Sequence, residues 1–474
     1  MLKRTPRAGN QEAIAALARH FGARLSTNAG LLDQHGAGEA MNEIVPPEAV
    51  LFAASTDDVA EALAIAATFS CPVIGYGAGT SLEGQLQAIE GGLSIDLSQM
   101  TRIIEVNDGS LDCRVEAGVT REALNTHLRD MGLFFPGDPG ANATIGGMTA
   151  TRASGTNAVR YGTMRELVLG LTVVTPQGKI VRTGGRARKS ASGYDLTRIY
   201  VGSEGTLGII TEIQLRLFGI PERIASAVCQ FDTLDGAVLT AMQAMQIGLP
   251  MARIELLDAL QMKASIAYSG LSEFAEKPTL FLEFHGSEAH VAEQVETFRA
   301  IATDNGGGNY SSAERTEDRN RLWQARHHAL FAARALRAGA AVYTSDACVP
   351  ISNLAECITR CRGAAEAAGL LAPVVGHVGD GNFHMIILFD PEDARESAAA
   401  ENLAQFIATT AIALGGTITG EHGIGLHKLD ALVEEHGEAV AIMARIKQAL
   451  DPLDIMNPGK LVPPVYLQRE RADY

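Results

Sequence analysis

At 474 residues the chain is too long for a single hydrophobic core, so two or more domains are expected. Its 46% apolar and 20% charged residues are those of a globular protein, and a formal charge of −16 argues against a general binder of nucleic acid or anionic membrane. Six scattered cysteines with no CxxC pair argue against a zinc ribbon, an iron–sulfur cluster or a disulfide scaffold, and fit a reducing, cytoplasmic setting.

No apolar run approaches the ~20 residues that a membrane span needs. The basic opening "MLKRTPRAGNQEAIAALARHFG" has the look of a weak transit peptide, but Ile14, Leu17 and Phe21 fall at amphipathic spacing, and we read it as the first helix of the fold. From residue 46, "PPEAVLFAASTDDVAEALAIAATFSCPVI" reads strand, helix, strand, with Ser55 and the following acids as a helix start. The glycine-rich turn "GYGAGTSLEG" comes next. It fails the dinucleotide fingerprint, because Thr80 stands where the last glycine belongs, and no Lys-Ser/Thr closes it as a P-loop. Alternating glycines nevertheless let backbone N–H groups converge on an anion such as a diphosphate. Short strands and further glycine joints follow to about residue 220, including "TPQGK" as a hairpin turn.

After Pro221 the texture changes to Ala-rich helices between strands, a second α+β region. Within it, "GHVGDGNFH" places His377 and His384 around an Asp-Gly core. A two-residue turn on Asp380-Gly381 would set His377 directly opposite His384, with Cβ atoms roughly 4.5–5.5 Å apart, within chelating reach. Glu421, in "TITGEHGIGLHK", offers an anionic oxygen to complete an N₂O set. Glu421 and His422 are adjacent and face opposite ways on a regular strand, so both serve one reaction only if Gly420, Gly423 and Gly425 let the backbone turn. His427 and Lys428 read as solvent-exposed. The tail "DPLDIMNPGKLVPP" is expected to pack back on earlier structure.

Six ordered motifs, Gly75–Gly84, "FPGDPGANATIGGM", "GSEGTLGIITE", "GHVGDGNFH", "TGEHGIG" and "DPLDIMNPGKL", resemble those of the FAD-dependent D-2-hydroxy-acid dehydrogenases of the vanillyl-alcohol-oxidase-like fold, from about residue 45 to 461. The resemblance implies an α+β protein: an N-terminal helical segment (1–45), a two-subdomain FAD-binding domain (46–223), a substrate domain with an antiparallel sheet carrying a metal site (224–445), and a C-terminal segment returning to the FAD domain (446–474). It implies flavin contacts at Gly75, Gly77, Ala78, Gly79, Thr80, Ser81, Pro136, Gly137, Asp138, Gly146, Gly147, Ser154, Gly155, Glu204, Gly205, Ile210 and Asn457. The FAD is expected to be non-covalent, because "GYGAGTSLEG" lacks the histidine of covalent relatives. It further implies Zn²⁺ or Mn²⁺ on His377, His384 and Glu421, His422 as catalytic base, and Arg326 as the clamp for a substrate carboxylate.

The expected reaction is oxidation of a small D-2-hydroxy acid, D-lactate first, to the 2-oxo acid. Relatives acting on 2-hydroxyglutarate carry a lysine in the segment matching "VYTSDACVP", which here holds Tyr343, Thr344, Ser345 and Asp346. D-2-hydroxyglutarate and glycolate are the alternative substrates. An alkyl-dihydroxyacetone-phosphate synthase and, from another class, a metal-dependent hydrolase or nucleotide-binding module are the alternative functions. The electron acceptor is left open among cytochrome, quinone and electron-transfer flavoprotein. The protein is expected to be cytoplasmic or peripheral to a membrane through that acceptor, and a homodimer is compatible with the sequence.

Overall fold

Ser55 does what its position promises: its side chain accepts from the Asp58 N–H at 3.1 Å and starts the helix Thr56–Thr68. The computed structural model describes residues 4–38, 44–313 and 315–467. Strands Ala49–Phe52 and Val73–Tyr76 flank Leu93–Asp96 in parallel, and Leu25–Ser26 adds an antiparallel edge. A five-stranded antiparallel sheet follows, ordered Ile103–Asn107, Asp112–Glu116, Ile209–Arg216, Val168–Val174, Ile180–Gly184. The "TPQGK" hairpin closes its last pair, with Thr175 N–H on the Lys179 carbonyl at 2.9 Å and Gly178 at φ +75°. The helix Asn10–Phe21 buries Ala13, Leu17 and Phe21 in the same core as these strands. That opening segment is therefore part of the folded unit.

The chain divides into two units. The first holds the described residues up to Ser154, Gly162–Ile220 and the chain from Glu421; the second holds Gly155–Tyr161 and Pro221–Gly420. The return to the first unit falls at Glu421, ahead of the residue 446 read from the sequence. Lys447 supplies a reason. On the helix Ala439–Leu450, its buried ammonium donates to the carbonyls of Thr206 (2.9 Å) and Met456 (2.8 Å) and pairs with Asp451 at 2.5 Å. A buried ammonium must be matched in this way, and the partners belong to the first unit. Beyond that helix, Val73 N–H bonds the Ile455 carbonyl at 2.7 Å and Asn457 N–H bonds the Val73 carbonyl at 2.8 Å. The tail thus extends the parallel sheet beside the strand that leads into the glycine-rich turn.

The second unit is an antiparallel sheet ordered Gly307–Ala313, Arg223–Phe231, Thr279–Gly286, Met251–Leu257, Val374–His377, Asn382–Phe389, Ala341–Thr344, with Ala347–Cys348 also on Asn382–Phe389. Helices Leu234–Gln246, Glu288–Asp304, Leu354–Ala368 and Ala394–Ala413 pack on one apolar face. The opposite face is divided along its strands. One end is apolar (Val228, Leu257, Phe281, Val375, Ile386) and packs against Met262, Leu322 and Trp323. The other end carries polar side chains, because the period-2 alternation continues past the apolar set.

Candidate functional site

In the first unit, the turns after the strands gather around one cleft, open to solvent. Gly75 to Leu82 form one wall; Thr144, Gly146, Gly147, Glu204, Gly205, Ile210, Ser154 and Asn457 also line it. The glycines are there for space: a Cβ on Gly77 would lie 2.3 Å from Thr144 Oγ1, and one on Gly146 2.6 Å from Ala117 Cβ. Ser81 Oγ and Asn457 Oδ1 are buried and meet no hydrogen-bond partner in the chain. Buried polar atoms of that kind call for a polar ligand. The cleft therefore fits an elongated dinucleotide such as FAD.

Four of the flavin contacts expected from the sequence lie elsewhere. Pro136, Gly137 and Asp138 are outside the lining, and Asp138 faces Arg121 at 3.3 Å. The same motif delivers Pro139, Ala141 and Ala143 instead. Gly155 belongs to the second unit.

Glu421 and His422 both line the cleft, and Gly423 (φ +83°) and Gly425 (φ +52°) provide the turn that adjacent residues need for this. The turn is fixed by Glu204, itself at φ +52°, whose carboxylate accepts the N–H groups of Ile424 (2.7 Å) and Gly425 (2.8 Å). Asn457 Nδ2 donates to the Glu204 and Gln85 carbonyls, at 2.8 and 3.1 Å. Gln85 Nε2 donates to the His422 carbonyl at 2.9 Å. Three loops and the tail are thereby locked together. Lys428 is a correction to the sequence reading: it is buried, with Nζ 2.9 Å from Glu83 Oε1, whereas His427 is exposed as expected. The buried Glu83 carboxylate gives the ammonium a partner inside the fold, which sequence polarity alone does not reveal.

Burial pushes the Glu204 carboxyl up to about 7, against the two N–H groups that favour its charge. A carboxyl raised from 4.5 contributes stability that is complete below 4.5 and lost as pH rises through 7. We expect about 3 kcal/mol to disappear across that window. Denaturation midpoints measured from pH 4.5 to 7.5 should fall more steeply in the wild type than in Glu204→Gln. Equal slopes would contradict the assignment.

In the second unit the polar end of the sheet carries a continuous row. Registers Ser226↔Glu283, Arg253↔Glu283, Glu255↔His377 and Val375↔His384 put these side chains on one face. Glu255, fully buried, is the hub: Oε1 lies 2.7 Å from His377 Nδ1 and Oε2 2.6 Å from Arg326. Burial opposes its charge, but His377 and Arg326 hold the carboxyl below its ordinary range. His384 Nδ1 donates to the Ser345 carbonyl at 3.0 Å, and Asp346 accepts from Asn382 (2.8 Å) and Thr419 (2.6 Å). The segment "VYTSDACVP" thus seats His384.

The two imidazoles do meet, with ring centroids 5.5 Å apart, but by a different register from the one expected. His377 pairs with Asn382 and Val375 with His384, so the turn has four residues, Val378 to Gly381, and the histidines are diagonal neighbours. Val378 is completely buried, and a Cβ on Gly379 would lie 2.5 Å from Ile254, so the turn packs inward. Of the four arginines in "RLWQARHHALFAARALRAG", only Arg326 is buried; Arg321 and Arg337 pair with Glu273 and Glu396 nearer the surface. Glu83 and Glu255 are the residues that sequence reasoning missed. A carboxylate in an alternating strand or a polar loop carries no signal of burial.

Residues 47–184 match the FAD binding domain family, and residues 220–461 match the family described as FAD linked oxidases, C-terminal domain. A probable mitochondrial D-lactate dehydrogenase of Danio rerio is 47% identical, over 92% of this chain and 89% of its own length. The mitochondrial D-lactate dehydrogenase [cytochrome] of Arabidopsis thaliana is 46% identical, over 88% of this chain and 74% of its own. Among solved structures, a 4-ethylphenol oxidase from Gulosibacter chungangensis superposes with a TM-score of 0.78 at 18% identity, covering 97% of this chain and 98% of that one, a likeness of fold.

Proposed function

Since the chain belongs to the FAD-dependent D-2-hydroxy-acid dehydrogenases, we propose that it oxidises a small D-2-hydroxy acid, D-lactate before others, to the 2-oxo acid. The observation that carries this reading is the pair Glu421 and His422 at the wall of the FAD cleft, where a carboxylate and an imidazole stand side by side. Bound FAD, held without a covalent link, supplies at N5 the acceptor for the hydride of the substrate carbon. A divalent ion, zinc or manganese, would be held by His377 and His384, with Glu421 as the third ligand that the family resemblance implies, and would supply a Lewis acid lowering the hydroxyl pKa.

The chain's own residues do the rest. His422 accepts the hydroxyl proton at Nε2, a task suited to a group whose ordinary pKa is near neutrality. Glu255 and the Ser345 carbonyl take the Nδ1–H of His377 and His384, which puts each ring's lone pair on Nε2 and fixes its direction. Arg326, anchored through one guanidinium nitrogen by Glu255, offers the remaining donors of its fork to the substrate carboxylate. Electrons leave to a carrier; the Arabidopsis relative's name favours a cytochrome over a quinone or an electron-transfer flavoprotein. Both relatives are named as mitochondrial, which favours the compartment of such a carrier over the cytoplasm expected from the sequence. Among the described residues no helix is long and apolar enough to cross a membrane.

Substrate size follows from "VYTSDACVP", where no lysine meets a second carboxylate. With an artificial electron acceptor, kcat/KM for D-lactate should exceed that for D-2-hydroxyglutarate on the order of 10²-fold, the factor matching about 3 kcal/mol of unpaired desolvation. Faster turnover of D-2-hydroxyglutarate would overturn the choice of substrate.

A further inference from the structure

Glu83 is the last residue before the closing glycine of the turn "GYGAGTSLEG", yet it is 3% exposed and faces the return segment from His422 to Lys428. Its Oε1 lies 2.9 Å from Lys428 Nζ and 3.4 Å from His422 Nδ1, and its Oε2 lies 3.7 Å from His427 Nδ1. Its backbone is as firmly placed as its carboxylate. Glu83 N–H donates to Gln85 Oε1 at 2.9 Å, and the Glu83 carbonyl accepts from Leu426 N–H at 2.8 Å. Burial works against a charge here, and Lys428 with the two imidazoles more than offsets it, so the carboxyl is held far below its ordinary range. The result is an anion beside the ring of the base, with Oε1 and His422 Nδ1 at ion-pair distance rather than in a formed hydrogen bond.

We propose that Glu83 is the positioning residue for His422: its carboxylate takes the Nδ1–H, which fixes the tautomer with the lone pair on Nε2 and aims that nitrogen at the substrate hydroxyl. The inference rests on the reading of His422 as the base. Lys428 has a separate role, matching the charge of Glu83 so that a carboxylate can remain buried beside an imidazole. A base contributes only when its lone pair points along the O–H bond, so loss of the partner should appear in kcat.

The test uses the FAD-loaded full chain, with D-lactate and an artificial acceptor. Glu83→Gln alone strands the Lys428 ammonium, so it is paired with Lys428→Met, which removes both charges together. Flavin content and thermal midpoint of the E83Q/K428M protein should match the wild type. Its kcat should fall on the order of 10²-fold, within the 10²–10⁴ that a positioned base supplies, with KM within about twofold. Adding His422→Ala to that pair should produce no loss beyond that of H422A alone, because the two act as one unit. Wild-type kcat in E83Q/K428M, or losses that multiply in the combined variant while H422A alone is nearly inactive, would overturn the positioning role and leave the base assignment standing. Wild-type kcat in H422A would overturn the base assignment and this inference with it.

Discussion

Glu255→Ala is expected to destabilise the second unit by about 3–5 kcal/mol, the cost of stranding one member of a buried ion pair. The stranded group is Arg326, 8% exposed, whose charge is matched at 2.6 Å by a carboxylate with no exposure at all. The same substitution frees the His377 ring, because Glu255 Oε1 at 2.7 Å is what orients it. Affinity for the proposed divalent ion should therefore fall about 10–100-fold, as for other partners that hold a ligating histidine. Glu255→Gln retains the shape and an oxygen for one partner, and should lose less on both counts. Denaturation followed by a probe in the second unit, with zinc titrated by calorimetry, separates the two effects. An unchanged midpoint in Glu255→Ala would refute the hub.

Gly425→Ala and Gly437→Ala form the second pair, and they should differ although both glycines have nearly the same positive φ. Both glycines have left-handed φ, +52° and +50°. A Cβ on Gly437 meets nothing within 4 Å, so alanine there should cost only the strain of its backbone (φ +50°, ψ −125°), about 1–3 kcal/mol. A Cβ on Gly425 would lie 1.9 Å from the Glu83 carbonyl oxygen, a backbone atom that cannot rotate away. Relief requires breaking the Leu426–Glu83 bond, or the bond from Gly425 N–H to Glu204, or both. The loss should exceed about 4 kcal/mol, and the turn carrying Glu421 and His422 should move. We expect Gly437→Ala to purify yellow with near wild-type turnover and Gly425→Ala to be inactive. Equal behaviour of the two variants would show that the close approach at Gly425 is not the constraint described.

The glycine-rich turns were legible because glycine carries its reason in its chemistry. A run of them between apolar strands announces backbone close to something, and Gly75 to Gly79 do line the cleft. The two histidines were legible as neighbours, but their register was not. Asp380-Gly381 has the composition of a two-residue turn, and only the burial of Val378 and the packing of Gly379 against Ile254 lengthen it to four. Glu255 shows the deeper limit. In "MARIELL" the charged residues alternate with apolar ones, the pattern of a strand with one wet face, and alternation does not distinguish water from a buried row of matched charges. Lys428 and Glu83 were hidden for the same reason, since each is polar and its partner lies over 340 positions away in the chain.

The most direct measurement is anaerobic mixing of the FAD- and zinc-loaded protein with D-lactate while the visible flavin band is followed. The account predicts that D-lactate bleaches the band in a single turnover, that L-lactate does not, and that prior removal of the ion slows the bleaching on the order of 10²-fold or more until zinc or manganese is returned. A loaded protein that stays yellow in D-lactate, or one that bleaches at the full rate after its ion has been stripped, would contradict it.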